Sequence, residues 1–285
     1  MLLRPNAKIN LGLNIVSRRP DGYHNLETVF FPVPVCDTLQ IERDDTVSSI
    51  VFSAADGLLL DCSDSDNLVV RLCRQIQKKY ALGGMRIRLS KHIPFGAGLG
   101  GGSSDAAFAA IALNELFSLA LSKEELKQEV RSLGADCAFF VENRPCYATG
   151  IGDILQPIDL SLQGYELLLV KPDGISVNTK TAYQGIVPRQ PAFPLLQAVQ
   201  LPVEQWEGLV VNDFEPAVFR AYPLVADIKQ RLYDAGAVYA AMSGSGAAVF
   251  GLFRQGVLSD SLAFADCFTS RILLSTTPDR LLIDP

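Results

Sequence analysis

Residues 94–107 read PFGAGLGGGSSDAA, with glycines at 96, 98, 100, 101 and 102 running directly into a helix-forming stretch. Glycine admits positive φ and lets backbone N–H groups approach an anion with no Cβ in the way. Where a helix begins, its free N–H groups and the positive end of its dipole add to the same attraction. Upstream, MRIRLSKHI (85–93) alternates apolar and polar side chains like a half-buried strand; downstream, Ala106 to Leu119 is rich in alanine and leucine. The glycines are therefore expected at a strand-to-helix turn that cradles phosphate, with Ser103, Ser104 and Asp105 adding hydroxyls and a cap. An ordinary turn needs one or two glycines, so a turn without a ligand leaves most of these unexplained.

Two familiar phosphate loops do not fit. Gly96-x-Gly98-x-x-Gly101 matches the dinucleotide fingerprint, but that fold needs a following strand with an acidic residue about 20 positions on. Residues 122–133 (SKEELKQEVRSL) instead read as a second helix, with Ser122 and Glu125 as a capping box and Gly134 as its stop. No G-x-x-x-x-G-K-[ST] occurs, which excludes a Walker A loop. The loop lacks a lysine of its own, so charge on a transferred phosphoryl must be met by backbone amides, Mg2+ and a basic residue from elsewhere.

Two other segments supply what the loop lacks. Pro5 to Asn14 (PNAKINLGLN) puts Lys8, Asn10 and Gly12 on one side of a short strand and Ile9, Leu11 and Leu13 on the other. A lysine beside an amide suits an anionic, polar site, although a strand lysine taken alone is usually solvated. Ala240 to Phe253 (AAMSGSGAAVFGLF) reads as strand, tight loop, strand, in which Gly244, Ser245 and Gly246 offer a second nest of amides or a plain hairpin.

The three segments together resemble the GHMP kinase superfamily, the relatives of galactokinase, homoserine kinase, mevalonate kinase and phosphomevalonate kinase, in motif content, order and rough spacing. Within it the chain is similar to the branch that phosphorylates a cytidine-diphosphate-linked methylerythritol in the non-mevalonate isoprenoid route. AKINL (7–11), RPDGYH (19–24), GAD (134–136), ATGIGD (148–153) and VNTKTAY (177–183) carry that finer likeness, which runs from about residue 4 to 253. Cys137-Ala138 departs from the Val-Pro usual after this Asp, a change of packing rather than chemistry. The resemblance implies an α+β, two-domain GHMP kinase fold. Residues 1–155 would form a ribosomal-protein-S5-like ATP-binding domain and 156–285 a ferredoxin-like domain, with the substrate cleft between them.

A kinase acting on an alcohol must align the hydroxyl with the γ-phosphoryl, help its proton leave and spread the growing charge. Asp136 is the candidate base, since it follows the helix stop at Gly134 and precedes an apolar run; a helix cap near the surface is the plainer alternative. The resemblance implies that Lys8 pairs with Asp136, where an ammonium would hold the carboxylate ionised and polarise the hydroxyl. It further implies that ATP lies against Pro94, Phe95, Gly96, Ala97, Gly98, Leu99, Gly100, Gly101, Gly102, Ser103 and Ser104. The helix opening at Ser65-Asp66-Asn67 would bring Asn67 near the adenine, although helix capping explains Asn67 as well. Mg2+ is required by the reaction; no carboxylate cluster announces a site, and Ser103 or Ser104 with substrate phosphates is the expected coordination.

A flat cytosine base is held by stacking and by hydrogen bonds to its edge. Tyr23 and Tyr183 are the stacking candidates, and by resemblance His24 reads the cytosine edge; otherwise His24 is an ordinary histidine and Tyr183 a half-buried strand aromatic. Thr179 and Thr181, at period two, offer hydroxyls to the sugar or diphosphate, or simply reflect β-propensity. Asn10, Gly244, Ser245 and Gly246 complete the expected substrate set. The leading expectation is transfer of the ATP γ-phosphoryl to the 2-hydroxyl of the cytidine-linked alcohol. The alternatives are a sibling kinase acting on mevalonate, homoserine or a sugar, and a non-catalytic nucleotide-binding regulator.

Composition bounds the rest. A chain of 285 residues with 48% hydrophobic content can bury a substantial core. A net charge of −6 argues against nucleic acid as a partner. No apolar run approaches the roughly 20 residues of a membrane span, and Arg4 and Lys8 interrupt any signal-peptide core, so a cytoplasmic protein, monomer or homodimer, is expected. Cysteines 36, 62, 73, 137, 146 and 267 lack metal-binding spacing and read as reduced thiols. Strands are expected at Ala7 to Val16, Thr28 to Pro32, Thr38 to Arg43, Met85 to Ile93 and Glu166 to Lys171. Helices are expected at 66–80, 104–119, 122–133 and Pro223 to Ala235, with an irregular connection from Pro188 to Pro202.

Overall fold

Two long strands near the N-terminus organise the molecule. Asn6–Arg18 (β2) and His24–Cys36 (β3) pair antiparallel around a turn in which Arg19 N donates to Tyr23 O (2.8 Å) and Tyr23 N donates to Asp21 Oδ1 (3.1 Å). The computed structural model describes residues 1–54, 66–183 and 186–274; Cys62 and Ser65 lie outside them. Ala7, Ile9 and Leu11 on β2 face Trp206, Tyr239 and Phe250 in a shared core, and Lys8 and Asn10 face the other way. The expected alternation fails beyond Leu11. A bulge between Leu11 and Leu13 turns Gly12 toward Leu195 and Val210 and brings Leu13 to the side of Lys8, because an inserted residue flips the pleat.

Cys146–Thr149 (β7) and Ile154–Pro157 (β8) extend this sheet in the order β2-β3-β7-β8. A second sheet, ordered β1-β4-β6-β5, is made of Leu2–Leu3 (β1), Thr38–Arg43 (β4), Met85–Ser90 (β6) and Ile50–Ala54 (β5). Its apolar face packs with Leu68–Tyr80 (α1), Gly101–Leu116 (α2), Lys123–Arg131 (α3) and Cys137–Glu142 (α4) into the first core. The third sheet, ordered β10-β11-β9-β12, joins Tyr239–Met242 (β10), Val249–Arg254 (β11), Tyr165–Pro172 (β9) and Cys267–Leu274 (β12), all antiparallel. The continuous apolar run of β9 follows from burial on both faces: Leu167 and Leu169 point to the core shared with β2, Leu168 and Val170 to a third core under Pro223–Asp234 (α8).

Shorter helices, Thr179–Ala182 (α5), Leu195–Ala198 (α6) and Glu215–Ala221 (α7), lie between β9 and α8. The stretch 188–202 is thus more ordered than its prolines suggest, since α6 buries Leu195 and Ala198 in the shared core. β12 gives the C-terminal thirty residues a structural part as the partner of β9. Five free cysteines are described, at 36, 73, 137, 146 and 267, and no described helix is long and apolar enough to cross a membrane.

The helix after the glycines starts at Gly101, three residues before expectation, so Asp105 does not cap it. The N-cap is Gly100, and Asp105 lies buried in the second turn, where its Oδ2 takes a hydrogen bond from Lys91 Nζ (2.6 Å). Lys91 also pairs with buried Asp37, whose Oδ1 accepts from the N–H groups of His92 (2.5 Å) and Ile93 (2.8 Å). This set ties α2 to the end of β6 and to the β3–β4 turn. Burial pushes the Asp105 carboxyl up to about 7, Lys91 opposing the rise and Asp37 adding to it. An acid whose folded value lies above its unfolded 3.8 holds its proton more tightly when folded, so the stability it contributes is full at low pH and is lost as pH rises toward about 7. Asp105→Asn should abolish that slope: its Tm relative to the parent should climb between about pH 4 and about pH 7 in thermal melts. Parallel curves would show that Asp105 does not titrate in this range.

Candidate active site

The glycine-rich segment and the β10–β11 hairpin are bound to each other along their length. Ala247 N donates to Gly96 O (3.2 Å), Ala248 N to Ala97 O (3.2 Å) and Ser243 Oγ to Gly98 O (2.9 Å). Gly98 has φ +74°, and a Cβ on it would overlap the carbonyl oxygen of Ser243, so only glycine allows this approach. Lys8 N donates to Leu99 O (3.0 Å), which brings β2 to the same place. Three segments separated widely in sequence thus meet at one point.

Lys8 is 3% exposed and its ammonium is fully engaged. Nζ donates to Asn10 Oδ1 (2.6 Å) and Gly98 O (3.0 Å), pairs with Asp136 Oδ2 at 3.3 Å and stands 4.9 Å from the centre of the Phe30 ring. Asp136 occupies the N-cap position of α4, yet its carboxylate makes no capping bond and is turned toward Lys8. The cap alternative therefore does not describe its side chain. Asn10 is fixed in turn: Nδ2 donates to Thr28 Oγ1 (2.9 Å), which donates to Gly12 O (2.5 Å), and its backbone N donates to Ser243 Oγ (3.2 Å).

These groups line a cleft of about 300 Å³. Lys8, Asn10, Gly96, Gly98, Gly100 and Asp136 face Thr179, Tyr183, Gly244, Ser245 and Gly246 across it, with Leu13, Leu26, Phe30, Ile151 and Phe214 among the apolar walls. Tyr183 stacks on His24 with centroids 4.8 Å apart and meets Phe214 edge-on at 4.9 Å. Burial, helped by the charge of Asp136, pushes its hydroxyl up to about 12, so it is a neutral wall. Thr179 and Ser245 hydroxyls are 3.0 Å apart across the cleft mouth. A separate hollow of about 130 Å³ is lined by Lys91, Ile93 and the whole of Pro94 to Gly102.

Some expected residues are not brought in. Thr181 lines another hollow, with Ser176 and Tyr222, because Thr179 to Ala182 is helical and two residues apart on a helix point about 200° apart. Tyr23 is 62% exposed on the turn, and His24 reaches the cleft through Tyr183 rather than as a wall. Asn67 caps α1, its Oδ1 accepting from Val69 N (2.9 Å), while the neighbouring Leu68 lies beside Gly102. Ser104 is fully buried with its hydroxyl unpartnered; the Ser103 hydroxyl sits near Gly134. No group of three or more His, Cys, Asp or Glu converges as a metal site among the described residues.

Other residues emerge only from the structure. Buried Asn212 donates to both Met242 O and Gly244 O (2.8 Å each) and accepts from Phe214 N (3.0 Å), fixing the hairpin loop and the aromatic wall together. A polar Asn-Asp pair inside the apolar run LVVNDF (209–214) was the available signal, since a buried amide demands partners. Ser243, Thr28 and Phe30 carried no comparable sign.

The family model for the GHMP kinases N terminal domain matches residues 67–144, and that for GHMP kinases C terminal matches 202–263. A 4-diphosphocytidyl-2-C-methyl-D-erythritol kinase of Bacteroides fragilis is 48% identical over 275 residues, 95% of this chain and 100% of that one. The kinase of the same name from Cytophaga hutchinsonii is 45% identical, over 89% of this chain and 93% of its own. Among solved structures, a 4-(cytidine 5'-diphospho)-2C-methyl-D-erythritol kinase superposes with TM-score 0.74 at 35% identity, covering 88% of this chain and 90% of that one. The Methanococcus jannaschii mevalonate kinase superposes with TM-score 0.70 over 95% of this chain and 97% of its own, but at 13% identity it shares the fold alone.

The closeness of Gly98 to Ser243 yields a direct test. Gly98→Ala should force the two loops apart and cost about 1–3 kcal/mol in urea unfolding, the scale of overpacking a filled site. An unchanged midpoint would mean that the contact is not close in solution.

Proposed function

Because the chain belongs to the GHMP kinase family, among its 4-diphosphocytidyl-2-C-methyl-D-erythritol kinases, we propose that Lys8 and Asp136 carry the transfer of the ATP γ-phosphoryl to the 2-hydroxyl of that compound. The reaction gives the 2-phosphate and ADP, and serves isoprenoid precursor synthesis. The observation that carries the assignment is the uncapped carboxylate of Asp136 facing a buried lysine, 3.3 Å away, in the wall of the cleft.

In this reading the substrate hydroxyl lies against Asp136. Its oxygen forms the new bond to phosphorus, its proton passes to the Asp136 carboxylate, and the phosphorus–oxygen bond to the departing ADP breaks with its electron pair. Of the three polar contacts of Lys8 Nζ, the one with Asp136 is the longest, so the ammonium can turn to the reacting oxygen without giving up Asn10 or Gly98. The backbone of Gly96 to Gly102 and the start of α2 meet the phosphates. Bound with the nucleotide, Mg2+ would supply neutralisation of the phosphate charge. The Ser103 hydroxyl, at the start of α2, is its nearest fit in the chain, because Ser104 is sealed in the core.

On the acceptor side, Tyr183 offers the cytosine a flat, neutral ring, and Thr179, Ser245 and the amides of Gly244 and Gly246 flank the path between base and alcohol. His24 and Tyr23 complete the base site if the exposed turn 19–23 folds over the bound nucleotide. Residues 1–155 serve as the nucleotide-binding and catalytic unit and 156–285 as the unit completing the substrate pocket. The five described free cysteines suit a reducing cytoplasm.

The deciding assay is ADP release with Mg·ATP, offering the cytidine-linked methylerythritol beside mevalonate, homoserine and galactose. Turnover of the first alone is expected; turnover of another alcohol would overturn the acceptor assignment. Asp136→Asn should lower kcat by about 100-fold or more with KM for both substrates nearly unchanged, the usual scale for loss of a general base. Full activity in that variant would remove Asp136 from the chemistry.

A further inference from the structure

Asn212 is buried and does not line the cleft, yet all three partners of its amide belong to the cleft wall or support it. Nδ2 donates to Gly244 O and to Met242 O (2.8 Å each), and Oδ1 accepts from Phe214 N (3.0 Å). Gly244 and Phe214 line the cleft. Met242 lies under the hairpin loop, its sulfur so close to Gly246 that a Cβ there would collide with it. The amide nitrogen is thus committed to the hairpin and the amide oxygen to the aromatic wall.

The segment that carries Asn212 is fixed from both sides. Leu13 N donates to Val211 O, Asp213 N to Leu13 O and Ile15 N to Asp213 Oδ2 (2.8 Å each), which lays residues 211–213 along β2. On the other side Met242 N donates to Glu215 Oε1 (2.9 Å), and Lys229 Nζ of α8 donates to Glu215 Oε2 (2.7 Å). Residues 211–215 therefore bracket β2, which carries Lys8 and Asn10, against the hairpin. In this bracket Glu215 reaches strand β10 at Met242, and Asn212 reaches past it to the loop at Gly244.

Phe214 in turn supports Tyr183 edge-on, with ring centres 4.9 Å apart. An acceptor whose base lies on Tyr183 and whose diphosphate meets the amides of Gly244 and Gly246 must span the distance between ring and loop. Binding is strongest when that distance is set beforehand, because ordering a loop at the moment of binding costs affinity. An apolar side chain at 212 would fill the same space but leave two carbonyls and an N–H without their partner. We propose, resting on the phosphoryl-transfer reading above, that Asn212 is a positioning residue for the acceptor. Its amide holds the Gly244–Gly246 loop in register with the Phe214–Tyr183 wall and so sets the spacing between the sites for diphosphate and base.

The test measures KM for the cytidine-linked methylerythritol and for ATP in the parent and in the Asn212→Ala and Asn212→Asp variants. Alanine removes all three bonds; an ionised aspartate keeps the shape and the acceptor for Phe214 N but has no hydrogen for the two carbonyls. Each variant should lower kcat/KM for the acceptor by about 10–100-fold, the scale on which a small misplacement of a bound substrate is felt. The loss should be carried by KM for the acceptor, with KM for ATP unchanged. A merely structural role would reduce the amount of folded enzyme, which lowers apparent kcat and leaves both KM values alone. An unchanged acceptor KM in either folded variant, or equal rises in both KM values, overturns the inference. Failure of both variants to fold also overturns it, since Asn212 would then serve the fold alone. Absence of turnover in the parent overturns the phosphoryl-transfer reading and this inference with it, a result distinct from turnover with an unmoved KM.

Discussion

The carbonyl oxygen of Gly98 accepts hydrogen bonds from Lys8 Nζ (3.0 Å) and Ser243 Oγ (2.9 Å), and the site hangs on that double acceptance. It joins a loop near residue 98, a strand near residue 8 and a hairpin near residue 243. Each donor is buried, so withdrawing the acceptor would cost the Ser243 hydroxyl its close acceptor and leave the Lys8 ammonium with Asn10 and Asp136 alone. The glycine supplies the remaining condition, because any side chain at position 98 would collide with the backbone of residue 243. This carbonyl, together with the Ala247–Gly96 and Ala248–Ala97 hydrogen bonds, holds the glycine loop against the hairpin.

Two buried lysines flank the start of the glycine-rich helix, and their different surroundings assign them different work. Lys91 faces two carboxylates and is closed in by Asp37 and Asp105, at least 98% buried as a set. Removing one partner from such a group would strand a buried charge. Lys8 faces one carboxylate, an amide and a carbonyl, and that carboxylate is 31% exposed to the cleft. The second arrangement leaves a charged pair with one open side, which a substrate hydroxyl can enter. Sequence alone does not separate these lysines, since each is a basic residue at a strand.

What was legible in the sequence was local. The glycine-rich loop, the reciprocal capping box of Ser122 and Glu125, the strand Thr38–Arg43 and the Pro-started, Gly-terminated helix α8 depend on neighbours within a few residues. Lys8 and Asp136, over a hundred residues apart, were paired only through the family likeness, and the structure brings them to 3.3 Å. The misreadings concern groups whose role is decided at a distance. Asp105 reads as a cap but is drawn into the core by Lys91. Thr181 reads as facing the cleft under a strand period but sits on a helical turn capped by Asn178. The bulge at Leu11 to Leu13 depends on the pairing of β2 with β3 and on Leu195 packing against Gly12, neither visible in residues 5–14.

The shared strands also constrain how the cleft can move. Domains joined by a linker rock about it unless their interface is large and apolar. Here Ala7, Ile9 and Leu11 of β2 pack against fully buried Trp206 and Phe250, so the N-terminal sheet is part of the C-terminal core. β8 spans residues 154–157 and pairs with β7 across the place where a linker would lie. Hinge motion about residue 155 would have to break both a sheet and a core. Two elements lie outside that core: the single-turn α5, whose Thr179 lines the cleft, and the exposed turn at 19–23, which carries Tyr23 and does not line it. Of these, α5 stands on the side proposed for the cytidine, whereas the Lys8–Asp136 pair and the glycine loop are held by the core. In the proposed reaction the fold would thus hold the transfer groups within the core and leave recognition of the base to elements outside it.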